Sequence, residues 1–370
     1  MQADDLTAVL ATVDRFCREV IDPRVGRPEL VLPAAELTRI GDEARQCGIL
    51  PLAGEPGLGL WEDGRRPEGL QRSLASLARL AESGAGVAFH LHQVALATLV
   101  ARELGSGPAG GPVLLPSGLA RGVLAEVLAG RAPGPGGDAL LRDTLPGQAG
   151  EVGPCFLHAA EPWSEIITPA WNDAALAWLR LPRERLDVAG AVGQHGLDEV
   201  PLWAVRFPEG GVGRALCSGA LARRLLATAL GLSALGLVAI GLGAVRHGLR
   251  LARAHAATRR QGGALLREHP AVQDLLGQAE AIAATVASAL RGAGAVPETA
   301  EGLAPVLGLR AVIHPLLCRA ANLSLQVLGG TGYMRDAGAE KVVRDANHLW
   351  LLGGGGGAAW RFLAGAEDQP

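Results

Sequence analysis

The chain has 370 residues, 49% of them hydrophobic and 19% charged, which is enough apolar material for a large core in two or three folding units and excludes a disordered chain. Its 34 basic and 37 acidic residues are interspersed and leave a net charge of −3, so no block of one sign offers a nucleic-acid surface. The cysteines Cys17, Cys47, Cys155, Cys217 and Cys318 form no CxxC pair, which excludes both a metal knuckle and a disulfide framework, and Met-Gln-Ala-Asp-Asp-Leu lacks the basic start of an export signal. The expectation is a cytoplasmic protein with reduced thiols.

Residues 5 to about 110 read as helices, with apolar residues at three- and four-residue steps in Leu6-Val9-Leu10-Val13-Phe16 and in Leu70-Leu74-Leu77-Leu80. Turn clusters at Leu52–Gly59 and Gly105–Pro112 break the pattern. From about 113 to 210 prolines and glycines become dense, and strand-sized runs stand between them: Cys155-Phe156-Leu157, Glu165–Thr168, Ala174–Leu179 and Val200–Phe207. The last of these carries Pro201, which cannot donate to a ladder, and it is expected near a sheet edge. From Leu221 onward the chain is helical again, apart from a loop near Arg291–Pro297 and two glycine-rich pieces. The spacing thus predicts a mostly α fold with a small central β domain: an N-terminal helical domain over 1–112, a β domain over 113–210 and a C-terminal helical bundle over 211–370.

Leu225–Val245 contains no charged residue, as a transmembrane helix would. It has no flanking Trp or Tyr, however, and runs on into Arg246, Arg250 and Arg253 at helical spacing, so a buried core helix is expected and no membrane contact. Gly231, Gly236, Gly241 and Gly243 on it would admit a close neighbouring backbone.

Two segments carry candidate chemistry. Arg259–Gln273 joins two helical stretches and combines arginines with a Gly-Gly turn, a corner suited to an anion. Leu325-Gln-Val-Leu-Gly-Gly-Thr-Gly-Tyr333 ends a helix in glycines that permit close approach of a ligand, and Glu340-Lys-Val-Val-Arg-Asp345 follows it. His90, His92, His195, His247 and His348 stand singly, without ligand spacing, and read as structural or surface residues. Asp336, Glu340 and Asp345 are the carboxylates nearest the later glycine run, with Glu340 and Asp345 expected in ion pairs rather than in proton transfer.

Arg259 to His269 resembles the Arg-x-x-Phe-Gly-x-x-Leu-x-x-His-Gln pattern of the acyl-CoA dehydrogenases, Gln326 to Gly332 resembles their Gln-x-x-Gly-Gly-x-Gly, and Glu340 with Arg344-Asp345 resembles the segment that follows. More faintly, Leu77–Ala81, His90–His92 and Leu104-Gly105 resemble the family's second pair of N-terminal helices. The resemblance implies a helical N-terminal domain, a β middle domain and a C-terminal four-helix bundle. It also implies flavin adenine dinucleotide (FAD), with Arg259, Gln261, His269, Gln326, Gly329 and Gly330 as its contacts across a subunit interface. Arg224 would contact the substrate, an acyl-CoA or acyl-carrier thioester, and an electron-transfer flavoprotein would take the electrons.

The family's catalytic glutamate has no counterpart. Its usual position falls at Gly353 or Gly354, inside the run Leu351-Leu-Gly-Gly-Gly-Gly-Gly-Ala358, and its alternative position falls at Arg223. Five successive glycines would also weaken any helix or ordered loop. Gly262, Pro270 and Leu221 likewise replace an aromatic, a glutamine and a CoA-binding aspartate of the pattern, and in the β domain only Glu165–Thr168 with Trp163 or Trp171 suggests a remnant of the flavin contacts. Three expectations compete: an FAD-dependent oxidoreductase acting on the CH-CH group of an acyl thioester as a homo-oligomer; a catalytically silent subunit that completes the flavin site of a catalytic homologue in a heteromer; and a membrane-embedded helical protein without flavin.

Overall fold

The computed structural model describes residues 3–27, 30–51, 59–63, 66–107, 109–116, 123–146, 155–160, 162–172, 174–207 and 213–367. Its helices in chain order are α1 (Ala3–Phe16), α2 (Asp22–Val25) after a π-helical turn, α3 (Ala34–Gln46), α4 (Pro67–Ser83), α5 (Ala85–Glu103), α6 (Val123–Leu128) and α7 (Gly137–Thr144). After the strands follow α8 (Gly219–Thr258), α9 (Pro270–Arg291), α10 (Ala300–Leu328), α11 (Ala339–Leu351) and α12 (Gly355–Glu367). The order is helices, strands, helices, as the texture of the sequence predicts.

The core is organised around α8, a helix of 40 residues. Its uncharged stretch is apolar all round because every side meets a neighbour: α4 and α5 on one flank, α9, α10 and α11 on the others. The membrane-like run is therefore covered by protein, with 94% of its most apolar window buried. Glycines set the spacing. A Cβ on Gly243 would lie 2.1 Å from the Ala78 carbonyl oxygen of α4, and one on Gly231 would lie 2.5 Å from the Pro297 ring. On α4, Leu70, Leu74, Leu77 and Leu80 are all buried, as their spacing requires.

Between α7 and α8 lie two three-stranded antiparallel sheets, β1 (Cys155–His158) with β5 (Leu202–Arg206) and β4 (Asp187–Val192), and β2 (Glu165–Asn172) with β3 (Ala175–Pro182) and β6 (Arg214–Ser218). Successive residues of β2 and β3 face opposite ways. Ile166 and Leu179 join a cluster with Leu157, Trp203 and Val205 of the other sheet, whereas Ile167 and Trp178 face the helical core, where the Trp178 indole donates to the Ala222 carbonyl of α8 at 3.1 Å.

Within the segment read as the β domain two short helices also form, α6 and α7, α6 packing on α12, and among the described residues the first strand is β1 at Cys155. One expectation, an edge strand at Val200–Phe207, is corrected here. β5 is the central strand of its sheet, because Pro201 stands one residue before it and acts only as an acceptor, its carbonyl taking the Ala159 amide at 3.1 Å. The glycine run is ordered. Gly353, Gly354 and Gly355 have φ of +66°, +83° and +59° and make a turn into α12, and a Cβ on Gly356 would lie 2.7 Å from the Trp350 ring. Residues 52–58 of the predicted Leu52–Gly59 loop lie outside the described residues.

Candidate functional site

Where α5, β1, α8, α10 and the α11–α12 turn converge there is a cavity of about 310 Å³, walled by Phe89, His158, Leu237, Arg310, His348 and Gly353 among others. One of the two positions at which the resemblance puts the missing glutamate, Gly353, is thus in the wall of a ligand-sized space. No Asp or Glu is among the described residues that line it.

Two histidines far apart in sequence meet there. Nε2 of His158 lies 2.9 Å from Nε2 of His348, and the Phe89 ring stands edge-on to His158 at 5.3 Å. His158 Nδ1 is 3.4 Å from the Val200 carbonyl, which can only accept, so the proton of His158 is assigned to Nδ1. Its Nε2 must then accept from His348 Nε2–H, which leaves Nδ1 of His348 as the free lone pair of the dyad. Burial, with His348 nearby, lowers the His158 pKa to about 3, and burial lowers that of His348 against the opposing pull of Asp345 and Asp198. Both rings are neutral at pH 7, the form in which imidazole accepts a proton.

Arg310, on the cavity-facing side of α10, is a buried cation. Its Nη2 donates to the carbonyls of Leu349 at 3.1 Å and Trp350 at 3.3 Å, and also to that of Leu352, closing the C-terminus of α11. Nε is shut away from solvent without a partner, and no carboxylate pairs with this guanidinium among the described residues. Burial lowers its pKa to about 10, so it stays charged at neutral pH. One helical turn on, His314 is stacked on Trp350 at 5.8 Å with neither ring nitrogen partnered, and burial, then Arg310, lowers its pKa to about 3.

The Glu340–Asp345 segment holds this wall against the β sheets. Arg344 pairs with Glu340 at 2.6 Å and with Asp198 at 2.5 Å, and Asp345 accepts the Leu197 amide at 2.8 Å. Buried Lys341 bridges Asp345 at 2.7 Å and Glu199 at 3.0 Å. Burial works against its ammonium, but Asp345 and Glu199 outweigh that and raise its pKa, while burial raises that of Glu199. These carboxylates are engaged in ion pairs, which is the role the sequence suggests for Glu340 and Asp345.

The two segments that the resemblance assigns to a dinucleotide lie elsewhere. Arg260-Gln261 (β7) and Ala264-Leu265 (β8) form a two-residue hairpin through Gly262 and Gly263, both with positive φ, and His269 Nε2 lies 3.1 Å from the Gln261 carbonyl. Ala252 and Ala256 near the end of α8 share a small apolar cluster with Leu325 and Leu328 of α10 and with Leu266, so both motifs occupy one end of the bundle. Arg259, Gln261, Gln326, Gly329 and Gly330 are exposed there, beside Tyr333 and Met334, which are 67% and 59% exposed. From Ala234 at the cavity to Thr258 at this corner, α8 rises about 36 Å. The other two sequence candidates diverge. Arg223 turns toward Gly130, whereas Arg224 lies 3.7 Å from Glu103 beside a second cavity of about 250 Å³ that does not include the dyad.

Sequence reading missed His158 and Arg310 and took His348 for a lone histidine. Their partners are brought by tertiary folding, His158 and His348 from positions 190 apart, and no local spacing signals them. Among the described residues no cluster of His, Cys, Asp and Glu could hold a metal.

The family model described as acyl-CoA dehydrogenase, C-terminal domain, matches residues 223–365. No curated protein sequence matches the chain. Among solved structures, butyryl-CoA dehydrogenase from Megasphaera elsdenii aligns with a TM-score of 0.69 at 15% identity over 100% of this chain and 99% of its own. A nitroalkane oxidase complexed with spermine aligns at 0.76 and 15% identity over 100% and 96%, and a glutaryl-coenzyme A dehydrogenase complexed with glutaryl-CoA at 0.67 and 16% over 98% and 95%. Residues 223–365 thus match the acyl-CoA dehydrogenase C-terminal domain, and over its whole length the chain has the fold of these solved structures.

Proposed function

We propose that the protein is an FAD-dependent oxidoreductase acting on the CH-CH group of an acyl thioester. The observation that carries this reading is the cavity itself, which brings Gly353, a neutral histidine dyad and apolar helix faces together at the junction of the β sheets and the helical bundle. The residues fit a flavin at two places. The exposed Arg259 hairpin and the open glycines Gly329 and Gly330 suit a pyrophosphate, since no atom lies within 4 Å of a Cβ built on either glycine. The cavity, near the lower end of the roughly 300–1,000 Å³ usual for small-molecule sites, suits a ring system or an acyl chain. Corner and cavity of one protomer lie about 36 Å apart along α8, so a dinucleotide reaching both kinds of contact would use the corner of a second protomer, as the family resemblance implies.

Bound flavin would supply a two-electron acceptor for hydride. The chain supplies the rest. His348 takes the α-proton at Nδ1, with His158 holding its Nε2–H and Val200 in turn holding His158, so that the ring keeps one tautomer and one orientation. Leu230, Leu237, Leu307 and Phe89 keep the chain in an apolar surrounding.

The absorption spectrum of the purified chain tests this. Flavin bands bleached by anaerobic addition of an acyl-CoA are expected. Flavin that no acyl-CoA reduces would favour the second reading, a silent subunit that completes the flavin site of a catalytic homologue, to which the lack of any Asp or Glu among the described lining residues points. Co-expression with such a homologue should then yield a heteromer. In either case an electron-transfer flavoprotein is the proposed electron acceptor.

A further inference from the structure

We propose that Arg310 receives a carboxylate carried by the apolar chain that fills this cavity, so that the substrate is an acyl group with its own acidic end. The inference rests on the proposed function only in taking the cavity as the substrate site.

Arg310 is 7% exposed, and among the described residues nothing offsets its charge except carbonyl dipoles. Nη2 alone serves those carbonyls, Nε is buried without a partner, and Nη1, which bonds no described residue, is the nitrogen nearest Gly353. A buried guanidinium with donors left over is costly unless an anion completes it. The next polar group, His314, is neutral and offers no negative charge. A Cβ on Gly353 would stand 3.1 Å from Nη1, so the glycine leaves bare the place on the cavity wall where an incoming oxygen would lie. Leu230, Leu237 and Leu307, which line the same cavity, favour hydrocarbon. A mere helix cap would use carbonyls alone, and a lysine ammonium would serve it equally.

The purified chain, with its flavin content measured first, is titrated with butyrate, butyramide and inorganic phosphate, following the Nε–H nuclear magnetic resonance signal of Arg310. That signal is assigned by its loss in Arg310→Lys. The expected result is saturable binding of butyrate at least tenfold tighter than butyramide and tighter than phosphate, lost in Arg310→Lys while the melting temperature holds. The proposal is overturned by equal affinity for butyrate and butyramide, by no butyrate binding, by preference for phosphate, or by undiminished binding in a folded Arg310→Lys. Should that variant not fold, its loss of binding carries no weight and the comparison of the three ligands on the unaltered chain decides. A flavin-free chain that binds butyrate sinks the oxidoreductase reading alone, and a flavin-loaded chain that ignores butyrate sinks this one alone.

Discussion

Nη1 of Arg310 lies 3.1 Å from the point where a side chain on Gly353 would begin. One of the two positions at which the resemblance puts the glutamate therefore stands beside a buried cation, and a glutamate placed there would be a weak base. A carboxylate introduced by Gly353→Glu would pair with Arg310, which lowers its pKa and with it its power to take a proton. The φ of +66° adds strain of about 1–3 kcal/mol. Gly353→Glu is expected to lower the urea midpoint and to leave the rate of flavin reduction no higher, as stopped-flow absorbance would register.

His348→Gln should slow flavin reduction by about 10²- to 10⁴-fold, the usual worth of a positioned general base. His158→Phe, which removes the acceptor of His348 Nε2–H, should slow it less and shift its pH profile, because the tautomer is then free. Equal rates in His348→Gln and the unaltered chain would remove the dyad from the mechanism.

Stability should fall steeply in mild acid. His90 is lowered to about 4, and His92, His158 and His314 to about 3, in each case first by burial. Because these folded-state values lie below the ordinary 6.5, protons bind the unfolded chain preferentially, so the stability is full above pH 6.5 and is lost as pH falls toward 3. Each group contributes a slope of up to about 1.4 kcal/mol per pH unit. His314→Leu, whose two ring nitrogens lack partners, should flatten the slope of the urea midpoint against pH by one proton's worth.

Lys341→Met should cost about 3–5 kcal/mol, since it leaves Glu199 and Asp345 buried without their cation. The double change with Glu199→Gln should recover part of that loss in equilibrium denaturation. If the two losses simply add, the three groups do not act as a unit.

Gly243→Ala should destabilise by about 1–3 kcal/mol or more, because its methyl group would lie 2.1 Å from the Ala78 carbonyl oxygen and α8 would have to move off α4. Gly263→Ala, with nothing within 4 Å, should lose only the smaller cost of its φ of +86°. Thermal melts of the two variants give the comparison directly.

Whatever depends on a repeating pattern was readable in advance. The leucines of α4, the uncharged stretch of α8 and its glycines each announce a buried face, and strand-sized runs at Cys155, Glu165 and Ala174 fall on β1, β2 and β3. Local pattern failed where helices span only about two turns, as in α6 and α7, and at Pro201, whose place one residue outside β5 cannot be told from its neighbours. The cavity was illegible for a different reason. His158, Arg310 and His348 are ordinary residues on three separate elements, and only the packing of α10 and α11 against β1 makes them a group. The motif residues from Arg259 to His269 and from Gln326 to Gly330 were legible as a pair, and they share one end of the bundle.

The 40-residue α8 is a gauge bar as well as a core element. One residue inserted between Ala234 and Thr258 would advance everything beyond it by about 1.5 Å and swing it through roughly 100°. The arginine hairpin would then face a different direction while the histidine dyad stayed where it was. On the proposed function, length and phase of that single rod would set how two copies are oriented to share a molecule, so that drift in chain length would be tolerable in the loops but not there.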